Sequence, residues 1–244
     1  MIEVPTKSPY YPYVKVIHGA ADFTQHAAFP KKIINYLLDA PDPNAGYYPA
    51  DDNFYPRCRL WKYLMHDGPR PLEKPLPDIS EKMSVLFDPT RPDTPPSEKG
   101  YRLFAQQYIK PAQTGAQTRI FVHMGRTIKN RATGRELYIA SVVFDVLTHY
   151  TYETNMQTDD YSRSDCVISE LINSLDGVNM TGVGTFTLDK SLHPDAGTSP
   201  IRDQENIGQR LVFGLEMCGS EGNETAEPEI MPVVPGTEGR ITLA

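Results

Sequence analysis

Apolar and polar positions along this chain organise themselves around residues 119–175. Ile120, Val122 and Met124 fall on one face of a strand. After a polar, basic interval the chain returns as a longer strand from Leu137 to Thr148. Tyr138, Ala140, Val142, Phe144 and Val146 share one of its faces, and Leu137, Ile139 and Val143 the other. Apolar residues on both faces at 142–147 predict a central strand that is covered on both sides. Two strands of this length do not stand alone in water, so a helix must shield one face. The pattern supplies it, because Val167, Ile168, Leu171, Ile172 and Leu175 form an unbroken stripe at helical spacing. Ser162 with Asp165 resembles a capping box at its start, and Gly177 stands where a C-terminal cap belongs.

The flanks are less regular. Residues 1–22 mix Pro, Tyr and β-branched side chains and read as an extended arm with one short strand. Ile33, Ile34, Leu37 and Leu38 mark a helix, with Pro30 tolerable only in its first turn. Leu60, Trp61, Leu64 and Met65 mark a second, stopped by Gly68-Pro69; Trp61, the sole tryptophan, is expected in a core or interface. Eight prolines between 69 and 100 leave room for one helical turn near Met83 to Phe87, in an excursion that covers the surface. Tyr101 to Ile109 reads as an edge strand, Val183 to Leu188 as a strand, 190–208 as a polar loop, and Arg210 to Met217 as the strand that closes the sheet. The fold class expected is therefore α+β: a mostly antiparallel β-sheet packed by one or two amphipathic helices, with long Pro-rich arms and loops. Residues 1–100 form the arm, short helices and excursion packed on the core, 101–217 the core, and 218–244 an acidic tail.

Composition adds limits. The 22 prolines among 244 residues exceed the usual share of about 5%, while 14 Tyr and 9 Phe give ample surface to bury. A net charge of −7 argues against coating nucleic acid or an anionic membrane. Three widely spaced cysteines, Cys58, Cys166 and Cys218, fit a reducing compartment better than a disulfide framework. The first residues lack the basic start and apolar run of a signal peptide, and no apolar stretch approaches the ~20 residues that cross a bilayer. A soluble protein made in cytoplasm is expected.

Candidate chemistry is sparse. His18, His26, His66 and His193 lie in loops without ligand spacing. His123 and His149, with Asp145 near, sit on the two hairpin strands and define the alternative reading: a small α+β enzyme dependent on a metal or ligand. Ordinary hydrogen bonding within a sheet is the stronger expectation for them. Cys166 lies beside the helical stripe and reads as a small hydrophobe, Gly182-Val183-Gly184 opens no phosphate loop, and Asp159-Asp160 suits a helix N-terminus. The feature with charge contrast is the hairpin tip, where Arg126, Lys129, Arg131 and Arg135 occur with no acid among them. Without interleaved aromatics it favours a protein partner over single-stranded nucleic acid.

The run RIFVHMGRTIKN, RELYIASVVFDVLTHY, SDCVISELINSLDGV, GVGTFTLDKS and QRLVFGLEM, residues 119–217, resembles neck proteins of tailed bacteriophages of the tail-terminator and head–tail joining class. The helix followed by a GVG-x-F-x-L strand carries that likeness, together with the preceding hairpin. The resemblance implies a structural virion protein, not an enzyme and without a cofactor or metal. It would assemble in the host cytoplasm into a ring, commonly of six copies, that joins tail tube to head. Its partners would be copies of itself and adjacent neck, connector, tail-tube or sheath proteins, with genomic DNA passing through without sequence-specific contact and no membrane. Arg126, Lys129, Arg131 and Arg135, and Tyr10, Tyr11 and Tyr13 of the arm, are the interface candidates.

Overall fold

In the computed structural model, residues 26–39, 51–90, 100–107, 116–130, 137–154, 161–202 and 205–216 are described. They form helices α1 (Phe29–Leu38), α2 (Pro56–Met65) and α3 (Ile79–Ser84), then strands β1 (Leu103–Phe104), β2 (Thr118–Met124), β3 (Ile128–Asn130) and β4 (Leu137–His149). Helices α4 (Tyr150–Glu153) and α5 (Arg163–Leu175) follow, and then β5 (Asn179–Met180), β6 (Gly184–Thr187), β7 (Gly197–Arg202) and β8 (Asn206–Glu216).

β4 and β8, the two long strands, pair antiparallel over ten residue pairs from Ala140↔Leu215 to His149↔Asn206. Each carries two short strands end to end on its outer side. β2 and β3 share β4, and β6 and β7 share β8. β1 adds to β2 in parallel and β5 to β6 antiparallel, so the sheet is mixed but mostly antiparallel, and the class is α+β as expected.

One face of the sheet presents Ile120, Val122, Ala140, Val142, Phe144, Val146, Leu211, Phe213 and Leu215 to the helices. The helical stripe packs here as predicted: Val167, Ile168, Leu171 and Leu175 are buried, while Ile172 is half-buried. Ser162 Oγ accepts from the Asp165 N–H at 3.1 Å. Beyond the C-cap, Gly177 takes a left-handed φ of 75° and donates to the Phe186 carbonyl at 2.9 Å. The helix layer is thicker than the one or two helices expected, because α1 and α2 join α5 in the same core. Trp61 is 1% exposed, and its indole N–H donates to the Leu37 carbonyl at 2.8 Å, tying α2 to α1.

Four sequence expectations are corrected. The helical turn expected at 83–87 lies earlier, as α3, because Asp78 and Glu81 form a complete capping box that starts the helix at Ile79. α2 ends at Met65, three residues before Gly68-Pro69, with His66 in extended backbone. The edge strand read over 101–109 shortens to two residues. The 190–208 loop contains β7, whose GTSPIR sequence hides a strand because it is largely exposed and pairs on one side with β8.

The other face is covered too. Phe104 stacks on Phe121 with centroids 4.5 Å apart, and Tyr101 and Leu147 join them in a second small core with Ile201 against it. Farther along, Ser141 and Gly214 face each other across the β4–β8 pair. Two loops close over them there. Gly125 lies so near that a Cβ would stand 2.5 Å from Ser141 Oγ, and a Cβ on Gly214 would stand 2.9 Å from His193.

Charged anchors hold the helices in place. Arg163, fully buried in the first turn of α5, donates to the carbonyls of Tyr63 (3.1 Å), His66 (2.7 Å), Asp67 (2.9 Å) and Gly68 (2.7 Å), and its Nε to Tyr152 (3.2 Å). Arg102 binds the Leu64 carbonyl and clasps the Asp67 carboxylate with both terminal nitrogens. Arg59 clasps Glu170 of α5 through two 2.7 Å bonds.

Leu171→Ala should cost about 2–5 kcal/mol through lost burial and a residual cavity, read as a shift in urea midpoint. Arg163→Met should cost on the order of 3–5 kcal/mol, because five carbonyls lose a buried charged donor. Arg163→Lys should recover only part of that, having three donors without the planar fork. Equal midpoints for wild type and Arg163→Met would show that the carbonyls find other donors.

Candidate interface at the basic hairpin

The basic interval is built on fixed backbone. β2 ends at Met124, and β3 resumes the pairing with β4 through Ile128↔Ile139, Lys129↔Tyr138 and Asn130↔Leu137. Residues 125–127 step over β4 between them. The Gly125 N–H donates to the Ser141 carbonyl at 2.8 Å. The Arg126 carbonyl accepts from Ser141 Oγ at 2.9 Å and from His193 Nε2 at 3.1 Å. Arg126 itself is exposed. Its backbone is thus held by two donors while its side chain faces solvent. Lys129 lies on β3, and Arg131, Arg135, Tyr10, Tyr11 and Tyr13 lie outside the described residues.

His193 is the residue that sequence reasoning missed here. It sits in a tight turn in which Asp189 Oδ1 accepts from the Ser191 N–H and the Asp189 carbonyl from the His193 N–H. Its Nδ1 accepts from the Asp195 N–H at 3.3 Å, which leaves Nε2 as the donor toward Arg126. The ring is fully buried. The signal available was weak: one histidine in a polar stretch, with no partner visible until the two loops meet.

The three residues of the alternative reading are only partly brought together. Asp145 is buried on the second face, directly opposite Phe121 on one side and Arg210 on the other. Arg210 grips both its oxygens at 2.6 and 3.0 Å, and His123 Nε2 reaches Oδ2 diagonally at 3.2 Å. His123 Nδ1 faces the Met124 carbonyl at 3.1 Å. Burial alone would push the Asp145 carboxyl up, but hydrogen bonds from His123 and Arg210 and the guanidinium charge outweigh it and hold the group below the usual carboxylate value. His149 is not part of this group. Four residues farther along β4, roughly 13 Å away at strand rise, it caps α4 by accepting from the Thr151 N–H. Among the described residues, no group of three or more His, Cys, Asp or Glu is placed to hold a metal ion. The arrangement around Asp145 is that of a cross-strand ion pair joining β2, β4 and β8.

Of the cysteines, Cys58 is buried and Cys166 half-buried, neither in a disulfide among the described residues, and burial pushes both thiols up from their ordinary pKa. Cys166 packs against the main core, as its place beside the stripe implied. No described helix is long and apolar enough to cross a membrane.

Comparison with known proteins gives one family. The YomW family model matches residues 58–199, more than half of the chain, from the start of α2 into β7. No curated protein and no solved structure matches.

Because the Asp145 carboxyl is held low in the folded protein, its ion pair contributes stability above the unfolded value of about 3.9 and loses it as pH falls through the lower folded value. Asp145→Asn should therefore be less stable than wild type at neutral pH, and the gap should narrow as pH drops below about 4. Denaturant melts at several pH values measure this; a gap independent of pH would remove the ion pair from the account.

Proposed function

We propose that this chain, which belongs to the phage-derived YomW family, is a structural part of a phage particle. It serves as the protomer of a ring in the neck, a tail terminator or head–tail connector, joining tail tube to head. The observation that carries this reading is the basic loop. An acidic chain of net charge −7 concentrates Arg126, Lys129, Arg131 and Arg135 in one hairpin, and the root of that hairpin is locked by Ser141 and His193. Fixing the backbone beneath the exposed Arg126 lowers the ordering cost of docking it on a partner's acidic surface.

The fold supports the reading in a second way. Both faces of the sheet are largely buried, so loops and edges are the parts of the sheet left for contacts. Repeated contact between one such element and a different surface of the next copy is heterologous, and closes into a ring when the rotation allows. Six copies are the number we favour. The working partners are further copies, adjacent neck, tail-tube or sheath proteins, and DNA that passes through unread. The protein works as a non-catalytic building unit within the virion.

Mass photometry at micromolar concentration, alone and with tail-tube or portal protein of the same phage, tests this. A closed oligomer near six copies is expected in at least one mixture. Arg131→Glu should leave the thermal melt unchanged and shift mass toward monomer. A protein monomeric under every condition would overturn the proposal.

A further inference from the structure

Two buried lysines of this protein live in opposite circumstances. Lys62 points its ammonium at Asp52 Oδ1 (2.7 Å), Asn53 Oδ1 (2.9 Å) and the Leu72 carbonyl (3.1 Å), a full set of acceptors. Lys82 of α3 is 5% exposed, yet among the described residues its ammonium has no hydrogen bond and no ion pair. Its Nζ lies 5.6 Å from the centroid of the Trp61 ring. A cation–π contact of this kind does not replace the acceptors that a buried ammonium gives up on leaving water. Burial accordingly pushes its pKa down, with Arg57 adding to the shift and Cys58, Asp39 and Asp78 opposing it.

Lys82 is not sealed in, because it lines a solvent-open cavity of about 430 Å³ between α1 and α3. The other walls are Asn35, Leu38, Asp39 and Ile79. Ile79 is 59% exposed, and Met83, one turn farther along α3, is 52% exposed. The lining therefore combines an unpartnered ammonium, an amide with donors to offer, and an apolar wall and rim.

We propose that this cavity is a binding site for a monoanionic carboxylate carried on an apolar group. The carboxylate supplies Lys82 with its missing acceptor, Asn35 donates to the second oxygen, and Leu38 and Ile79 take the alkyl portion. The Asp39 carboxylate in the wall opposes any anion, a phosphate dianion more than a single negative charge. The same chemistry has two sources: a free branched short-chain acid, or a glutamate beside apolar residues in a protein segment. This chain itself carries the second kind, in Glu227-Pro228-Glu229-Ile230-Met231. The inference is independent of the neck-ring reading.

Trp61, the sole tryptophan, is a built-in reporter beside Lys82. The full chain at pH 7 is titrated separately with 4-methylpentanoate, with a synthetic peptide of residues 224–234, and with inorganic phosphate, following Trp61 emission and heat. At least one carboxylate probe should give a saturable change while phosphate gives none. Lys82→Met should weaken that binding roughly tenfold or more and leave the melting temperature unchanged or higher, since it removes a desolvated charge. Asn35→Ala, at an exposed position, carries the same test with a smaller loss should Lys82→Met not fold. Tighter binding of the peptide assigns the site to a protein segment, and binding of the acid alone to a free ligand. No binding of either carboxylate, phosphate binding as tightly as they do, or unchanged affinity in the folded variants would each overturn the proposal.

Discussion

One guanidinium decides where the helix layer sits. The end of α2 and the residues after it leave carbonyls without helical partners, as every helix end does, and Arg163 answers four of them from the first turn of α5. A cation in a first turn opposes that helix's own dipole, and burial adds a desolvation cost that lowers its pKa. What compensates is the negative end of α2. The complementary arrangement stands next to it: the buried Glu153 carboxylate takes the Ser164 N–H at 3.1 Å and its hydroxyl, placing an anion at the positive end of α5. Burial pushes that carboxyl up, with the two Ser164 bonds acting against the rise. Each helix end thus meets the charge it favours, contributed by another element.

The same junction reaches the sheet. Asp67, whose carbonyl Arg163 holds, gives its carboxylate to Arg102 beside β1 and accepts from the Thr118 N–H where β2 begins. α2, α5, β1 and β2 therefore share one polar node at the edge of an apolar core. Hydrophobic burial favours helices on the sheet but does not by itself fix their registration. Directional bonds to named carbonyls do, and their partners lie about a hundred residues apart in the chain.

How much of this could be read beforehand follows from the range of each interaction. The stripe of α5 and the two-faced apolar run of β4 are local periodicities, and both were legible. Pro30 and Trp61 were legible because a helix first turn and a core tolerate few alternatives. β7 was not, since a Pro-containing, largely exposed outer strand resembles loop until β8 lies beside it. Arg163 reads as an ordinary residue near a cap, and only the returning end of α2 gives it a purpose. Of the candidate site, the charge contrast of the hairpin was visible in composition. Its anchoring through His193 was not, because the two loops that meet are 67 residues apart.

That meeting also bears on what the sheet is for. The break between β2 and β3 lies on the outer side of β4, and the break between β6 and β7 on the outer side of β8, so the contact from His193 to the Arg126 carbonyl passes over the central pair. A flat sheet would hold those loops several strand spacings apart, at about 4.8 Å each; curling lets one imidazole link them. The same curl buries Ser141, Val143 and Val212, which a flat sheet would leave open to solvent. Over Ser141 and Gly214 the protein's own loops lie against the sheet. In exchange, the backbone under the exposed Arg126 is braced at once by Ser141 of the central strand β4 and by His193 from the loop between β6 and β7.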